Sequence, residues 1–289
     1  MIDVFNIPSS TQNTITFYAT GNWQTWNKPR GAKMIEIFCL GGGAGGAIAT
    51  VGTGARAGGN GGCSSGIVRG IIPAFLLPDN LYILVGKGGA GSTGSNTSGG
   101  SGGISYIGLQ PSTSEQTLIC KSSTSVPTNS VTGPTISTVA LSAFGNLGLF
   151  TAIAGVGASA GGTSTPTQGG SQAALGTSLV TGGAAGGGKT TAAFSAGGNI
   201  TSASAILTTQ VSGGVTDGQK GADGYGTLIP FCGTGGAGGA GRQGDSQLGG
   251  NGGNGFYGCG GGGAGASSTT GGIQGGNGGD GLVIITVIT

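Results

Sequence analysis

The stretch "GGNGGNGFYGCGGGGAG", residues 249–265, decides how this chain is to be read. It has no apolar face, no alternation and no charge pattern. Yet the chain closes on "GLVIITVIT", residues 281–289, a run of β-branched residues that reads as a buried strand. The glycine stretch is therefore either a solvated spacer or a folded element of a kind that requires glycine.

Composition bears on that choice. Glycine fills 73 of the 289 positions, far above the ordinary ~7%. A chain so poor in large apolar side chains has little with which to offset its ordering entropy, which favours disorder. Against disorder stand a charged fraction of only 6% and a mean hydropathy of +0.20. Ten Lys/Arg and eight Asp/Glu cannot dress a whole surface. Hydration by Ser, Thr, Asn and bare backbone, together with coverage by other subunits, is expected instead. The net charge of +2 is spread thinly, so no nucleic-acid surface is expected.

The opening "MIDVFNIPSSTQNTITF" lacks the basic and apolar regions of an export leader. The apolar run "GIIPAFLLPD" is cut by Pro73 and Pro78, and nothing approaches the ~20 residues that span a bilayer. Synthesis in a cytoplasm without membrane insertion is the expectation. Cys39, Cys63, Cys120, Cys232 and Cys259 are odd in number and widely spaced, which predicts buried free thiols rather than a disulfide framework.

Short β-branched or aromatic segments bounded by Gly, Pro or Asn predict strands at 13–20, 32–40, 65–72, 80–86, 105–109, 117–122 and 282–289. "IIPAFLLPD" reads as a connection. The last strand is too apolar to stand alone and should pair with the N-terminal ones. No helical period is present. Residues 1–122 are thus platform strands with the first glycine runs, 123–233 a Ser/Thr/Gly-rich middle, 234–281 a glycine bundle, and 282–289 a strand returning to the platform.

Within the bundle the glycines keep a period of three: Gly249, Gly252, Gly255, Gly258 and Gly261, then Gly272, Gly275, Gly278 and Gly281. A polyproline-II-type helix has three residues per turn and no internal hydrogen bonds. Glycine at every third position gives it an edge free of Cβ atoms, along which another such helix can approach and exchange backbone hydrogen bonds. Residues 249–261 would form one such helix of about 37 Å, at ~3.1 Å per residue. Asn251, Asn254 and Phe256 would lie on its other edges, with Asn251 carrying no structural weight. Chance is the competing explanation, because a glycine-dense stretch generates such runs by itself. Collagen fits poorly, since the triplets are short and nearly free of Pro.

"FYATGNWQTWNKPRGAKMIEIFCLGGGAGG" resembles the opening of a glycine-rich domain family found in bacteriophage and other virion proteins. The residues that carry the resemblance are Phe17, Gly21, Trp23, Trp26, Pro29, Ile35, Ile37 and the run from Gly41. "LYILVGKGGAG" and "GGNGGDGLVIITVIT" are similar to its later features, whereas residues 105–230 match in composition only. The resemblance implies a virion structural protein, in a tail fibre, adhesin or capsid-associated fibre. Such proteins include polyglycine-helix bundles, also known from one animal receptor-kinase domain.

Three catalytic-looking strings fail on context. "GAAGGGKT", residues 183–190, fits the phosphate-loop pattern, but the "TAAFSAGGN" that follows is too glycine-broken for the required helix. "GKGGAG", residues 86–91, follows a strand, again without a helix. "GCSSG", residues 62–66, places Ser64 as in a nucleophile elbow, but the chain contains no histidine to act as its base. Metal sites lack both His and close Cys pairs. Trp23, Trp26 and Tyr82, with Arg30 beside them, suit either a glycan-stacking site or ordinary packing.

The sequence therefore predicts an all-β fold: a β-sandwich-like platform from N- and C-terminal strands, carrying a bundle of polyglycine-II-type helices. The expected role is structural, in a virion, without enzymatic activity, cofactor or metal. Expected partners are further copies of the chain (a trimer), other virion proteins, and a host-surface glycan or protein. The breaks at 242–248 and 266–270 are the expected contact loops, through Arg242, Gln243, Asp245, Gln247 and Thr269. A self-assembling extracellular filament subunit and a glycan-binding module are the alternatives.

Overall fold

The computed structural model describes residues 14–125, 127, 149–163, 165, 167–173, 179–201, 209–228, 231–269 and 271–289. The leader reading of the first thirteen residues, and Thr270 of the second contact loop, lie outside them.

The fold is all-β. In chain order the strands are β1 (Thr14–Tyr18), β2 (Gln24–Asn27), β3 (Met34–Leu40), β4 (Ile67–Pro73), β5 (Asn80–Leu84), β6 (Tyr106–Gly108), β7 (Leu118–Lys121), β8 (Phe150–Ile153), β9 (Gln172–Ala173), β10 (Ile200–Thr201), β11 (Gly226–Leu228), β12 (Phe231–Gly233) and β13 (Leu282–Ile288). A five-stranded antiparallel sheet has the order β1-β13-β3-β4-β8, and a four-stranded one the order β2-β5-β6-β7. Two small pairs, β9 with β10 and β11 with β12, lie apart from these.

The last strand pairs with the first ones, as its apolarity requires. β13 runs between β1 and β3, with Ile285 opposite both Ile15 and Ile37. The face carrying Val283, Ile285 and Val287 is buried throughout, whereas on the other face burial falls from Leu282 through half-buried Ile284 and Thr286 to exposed Ile288. Val283, Ile285 and Val287 enter one hydrophobic cluster, and Leu282 enters a second. The first cluster draws on both large sheets: Ile35, Ile37 and Val68 from one, Trp26, Leu81, Ile83 and Ile107 from the other. Two readings need adjusting. Pro73 ends β4 opposite Met34, and β2 forms in a turn-like segment because it pairs along β5.

Between strands the chain leaves the sheets in glycine-rich runs whose backbone amides follow a period of three. Along residues 42–48, Gly42, Gly45 and Ile48 donate to Gly103, Gly100 and Thr97. Gly43 and Gly46 donate to Gly279 and Gly276, and Ala44 and Ala47 to Cys63 and Asn60, all at 2.8–3.1 Å. Three successive residues thus face three different neighbours.

The run at 259–266 has six neighbours. It donates to the runs around Ala184, Ala47 and Gly253, and accepts from those around Gly276, Gly239 and Gly59, at 2.8–3.1 Å. Every residue from Gly258 to Ser267 is buried. A Cβ added at Gly260, Gly261, Gly262, Gly263 or Gly265 would lie 1.8–2.1 Å from a carbonyl oxygen of a neighbouring run. Glycine is required here because backbone packs directly on backbone.

The expectation of one continuous element over 249–261 is wrong. The chain reverses at Tyr257–Gly258, and Gly262 and Gly265 donate back to Gly253 and Gly250. Gly258 has φ +68° and Gly272 φ +89°, so both turn the chain in a conformation that favours glycine. The other singled-out glycines pack on backbone: an added Cβ would meet a carbonyl oxygen at 2.6 Å from Gly249, 2.0 Å from Gly252, 2.3 Å from Gly255, 2.1 Å from Gly275 and 2.0 Å from Gly278. A second edge was not foreseen, since Gly250 and Gly253 are equally tight, each 1.9 Å from a carbonyl oxygen. The described parts of the Ser/Thr/Gly-rich middle, notably residues 181–189, 195–198 and 211–222, belong to the same array.

Candidate functional site

Runs leave the sheets after Leu40 and Leu84 and re-enter before Leu282. The loops that join them at 49–57, 93–96, 190–194, 242–248 and 267–273 therefore gather at the end of the array away from the sheets. Hydrogen bonds knit them into one surface. Gly52 donates to the Ser267 carbonyl (3.2 Å), Val51 to Ser95 Oγ (3.0 Å), and Gly54 to Asp245 Oδ1 (3.1 Å). The Gln243 amide donates to Asp217 Oδ1 at 2.9 Å, and Arg242 Nε lies 3.8 Å from Asp217 Oδ2. Ser267 Oγ donates to the carbonyls of Gln247 (3.2 Å) and Thr269 (2.7 Å).

Lys189 anchors this surface from beneath. It is fully buried, its backbone exchanges hydrogen bonds with Arg56 at 2.9 Å, and its Nζ donates to the Gly244 carbonyl at 3.0 Å and to Ser268 Oγ. Burial lowers its pKa, partly offset by the Asp245 carboxylate. The structure thus brings both expected contact loops together, with Gln243, Asp245, Gln247 and Thr269 exposed. It adds Arg56, Lys189 and Asp217, which come from distant parts of the sequence. Of these, only Lys189 carried a sequence signal, and for a different reason.

That different reason was the phosphate-loop string. All eight amides from Gly183 to Thr190 are engaged: they donate to the carbonyls of Gly62, Gly236, Gly170, Gly59, Gly239, Thr167, Arg56 and Ala193. A phosphate cradle needs such amides free. The string at 86–91 is similarly occupied, with Gly86, Gly88, Gly89 and Gly91 donating to Ser105 Oγ, Asp280 Oδ1, the Gly43 carbonyl and Asn277 Oδ1. Ser64 is buried, and its Oγ accepts from the Val156 amide at 2.7 Å.

The aromatic residues do not form one cluster. Trp26 is 2% exposed within the shared core, whereas Trp23 stacks obliquely on Tyr106 with centroids 6.5 Å apart. Tyr82 is half-buried in β5, opposite Thr25, and Arg30 is exposed. All five cysteines are buried thiols outside any disulfide. Among the described residues no group of His, Cys, Asp and Glu could hold a metal ion, and no helix is long and apolar enough to cross a membrane.

Sequence reasoning also missed a set of side chains. Asn251, Asn254, Asn277 and Asp280 occupy the third place of "GGN" and "GGD" triplets, and each accepts a hydrogen bond from the backbone of the adjacent run. The polar third residue of each triplet was the available signal.

No curated protein matches this sequence. A family described as "Glycine-rich domain" matches residues 18–287, nearly the whole length, and the chain belongs to that glycine-rich domain family.

Proposed function

We propose that this chain is a structural protein of a virus particle: a phage fibre, tail appendage or capsid decoration, assembled as a homo-oligomer. In this reading the two large sheets form a sandwich-like base, and the glycine runs are polyglycine-II helices that make a stiff frame. The loops at the far end are the surface that meets a host glycan or protein. No catalytic step is assigned to it.

The observation that carries the reading is the pairing of backbone around residues 259–266 with six neighbouring runs, while the connecting loops collect at one end. Such a frame takes its shape chiefly from backbone packing, with small apolar clusters around Ile200 and Val211 and around Ile48 and Ile273, and leaves its loops free to vary. Among the exposed apolar side chains, Ile71, Phe75, Leu76 and Ile288 sit at the end of the sheet away from the array, whereas Val215 and Leu248 lie by the far-end loops and Tyr18 where β1 meets the array. The sheet end away from the array suits attachment to the rest of a particle.

Antibodies against the chain test this directly. Decoration of virus particles in electron micrographs, at a fibre, tail or capsid surface, is the expected result. Decoration of filaments on the producing cell, with particles unlabelled, would replace this reading by that of an extracellular filament subunit.

A further inference from the structure

The array has an outer face made by residues 219–224, 249–256, 274–281 and 86–92, and the hydrogen bonds on it follow one rule. At each step, the side chain of one run covers the outward amide of the next. The Asn254 amide donates to Asp223 Oδ1 (2.7 Å), the Asn277 amide to Asn254 Oδ1 (2.9 Å), and the Gly91 amide to Asn277 Oδ1 (2.8 Å). Parallel steps take the Gln274 amide to Asn251 Oδ1 and the Gly88 amide to Asp280 Oδ1, both at 2.8 Å. The staircase crosses four runs that are far apart in sequence.

Inside the array, the equivalent amides donate to the carbonyl of a further run. Ala237 and Ala240 stand at the same place in "GGA" triplets, are fully buried, and donate to the Ala222 and Gln219 carbonyls at 3.0 and 2.9 Å. On the outer face an Asn or Asp oxygen supplies that bond, and its side chain lies where the next run would sit. An edge of backbone donors left open would be a template for another chain, as a bare β-strand edge is. β-Sheets guard such edges with charge, but this chain has only 6% charged residues.

From this geometry we infer that Asn251, Asn254, Asn277, Asp223 and Asp280 terminate the glycine array, closing this face against a glycine-rich run from a second copy of the chain. Self-association of the protein then uses other surfaces. The inference is independent of the virion reading, since it concerns how the array ends and not where the protein works.

The test is the triple variant Asn251→Gly, Asn254→Gly, Asn277→Gly, which bares the Gln274, Asn277 and Gly91 amides and clears the seat. In sedimentation velocity its weight-average mass should at least double with rising concentration, relative to the wild type's own state. The corresponding Ala variant should behave likewise, because Ala occupies this triplet position inside the array. The corresponding Asp variant keeps the acceptor oxygen and should sediment as wild type. A folded Gly variant that sediments as wild type at every concentration would overturn the inference, as would association of the Asp variant. Should the triple variant not fold, the three single variants carry the same test, each baring one amide, with wild-type sedimentation in all three counting against it.

Discussion

A Cβ added at Gly252 would lie 2.0 Å from the carbonyl oxygen of Gly262, on the run that doubles back beside it. That oxygen accepts from the Gly276 amide at 2.8 Å, so it cannot retreat without breaking a bond to a third run. Gly252→Ala should therefore cost at least about 3 kcal/mol, through overpacking and stranded backbone groups. In a solvated spacer the same change would be neutral or slightly stabilising. Asn251→Ser should cost less, about 0.5–1.5 kcal/mol for one part-exposed hydrogen bond to Gln274. Urea midpoints of the two variants check both values, and equal effects would contradict backbone-on-backbone packing at Gly252.

How much of this was legible depends on whether side chains carried it. The strands at 14–18, 34–40, 80–84 and 282–288 were readable to within two residues because their apolar side chains specify burial. Strands β8 to β12 were not, being two to four residues long in Ser/Thr/Gly context. Glycine periodicity announced close approach but not the partners, since glycine has no side chain to encode which runs meet. The reversal at Tyr257 was hidden for a related reason. Tyr257 packs on Tyr18, 5.9 Å between centroids, a tertiary contact with no local signature. At the far end the loops at 242–248 and 267–269 were visible as breaks in the glycine pattern, whereas Arg56, Lys189 and Asp217 reach them only through the fold.

Stability should fall in alkali through the buried thiols. Burial pushes Cys63 from 9.0 to about 11 and Cys259 from 9.0 to about 12, while Cys120 is raised by its hydrogen bond with Cys39 and by burial. Because these folded values lie above the unfolded one, the stability they carry is intact below about pH 9 and is lost as pH rises toward 11–12. Each thiol that ionises only in the unfolded chain contributes a slope of about 1.4 kcal/mol per pH unit. Urea titrations between neutral pH and that window measure the slope, and Cys259→Ala should make it shallower by one thiol's share.

Lys189→Ala should loosen the far-end loops and leave the sheets alone. The variant loses the Nζ bonds to the Gly244 carbonyl and Ser268 Oγ, worth about 1.5–3 kcal/mol for a charged donor. Hydrogen exchange should quicken at 242–248 and 267–269, with Leu282–Ile288 unchanged. Magnesium-ATP should shift the melting temperature of neither protein, because the amides of 183–190 are already committed. A shift in the wild type that Lys189→Ala abolishes would show that the string binds phosphate after all.

Strand β13 ties the two chain ends together. Ile285 is fully buried between Ile15 on β1 and Ile37 on β3, and its side chain enters the cluster shared by both large sheets. Ile284 points to the opposite side, where it is only half-buried against the second cluster. Truncation should therefore read out the two faces of one strand: about 2–5 kcal/mol for Ile285→Ala, and clearly less for Ile284→Ala. The amides of Leu282–Ile288 should be among the slowest to exchange, since they can open only when β1, β3 and the run entering at Gly281 separate together. Removing residues 282–289 should leave neither the sheets nor the glycine array folded, because the run at 274–281 would lose its attachment to the platform. A truncated protein with native-like exchange protection at 34–40 and 259–266 would show that the array and the sheets fold without this strand.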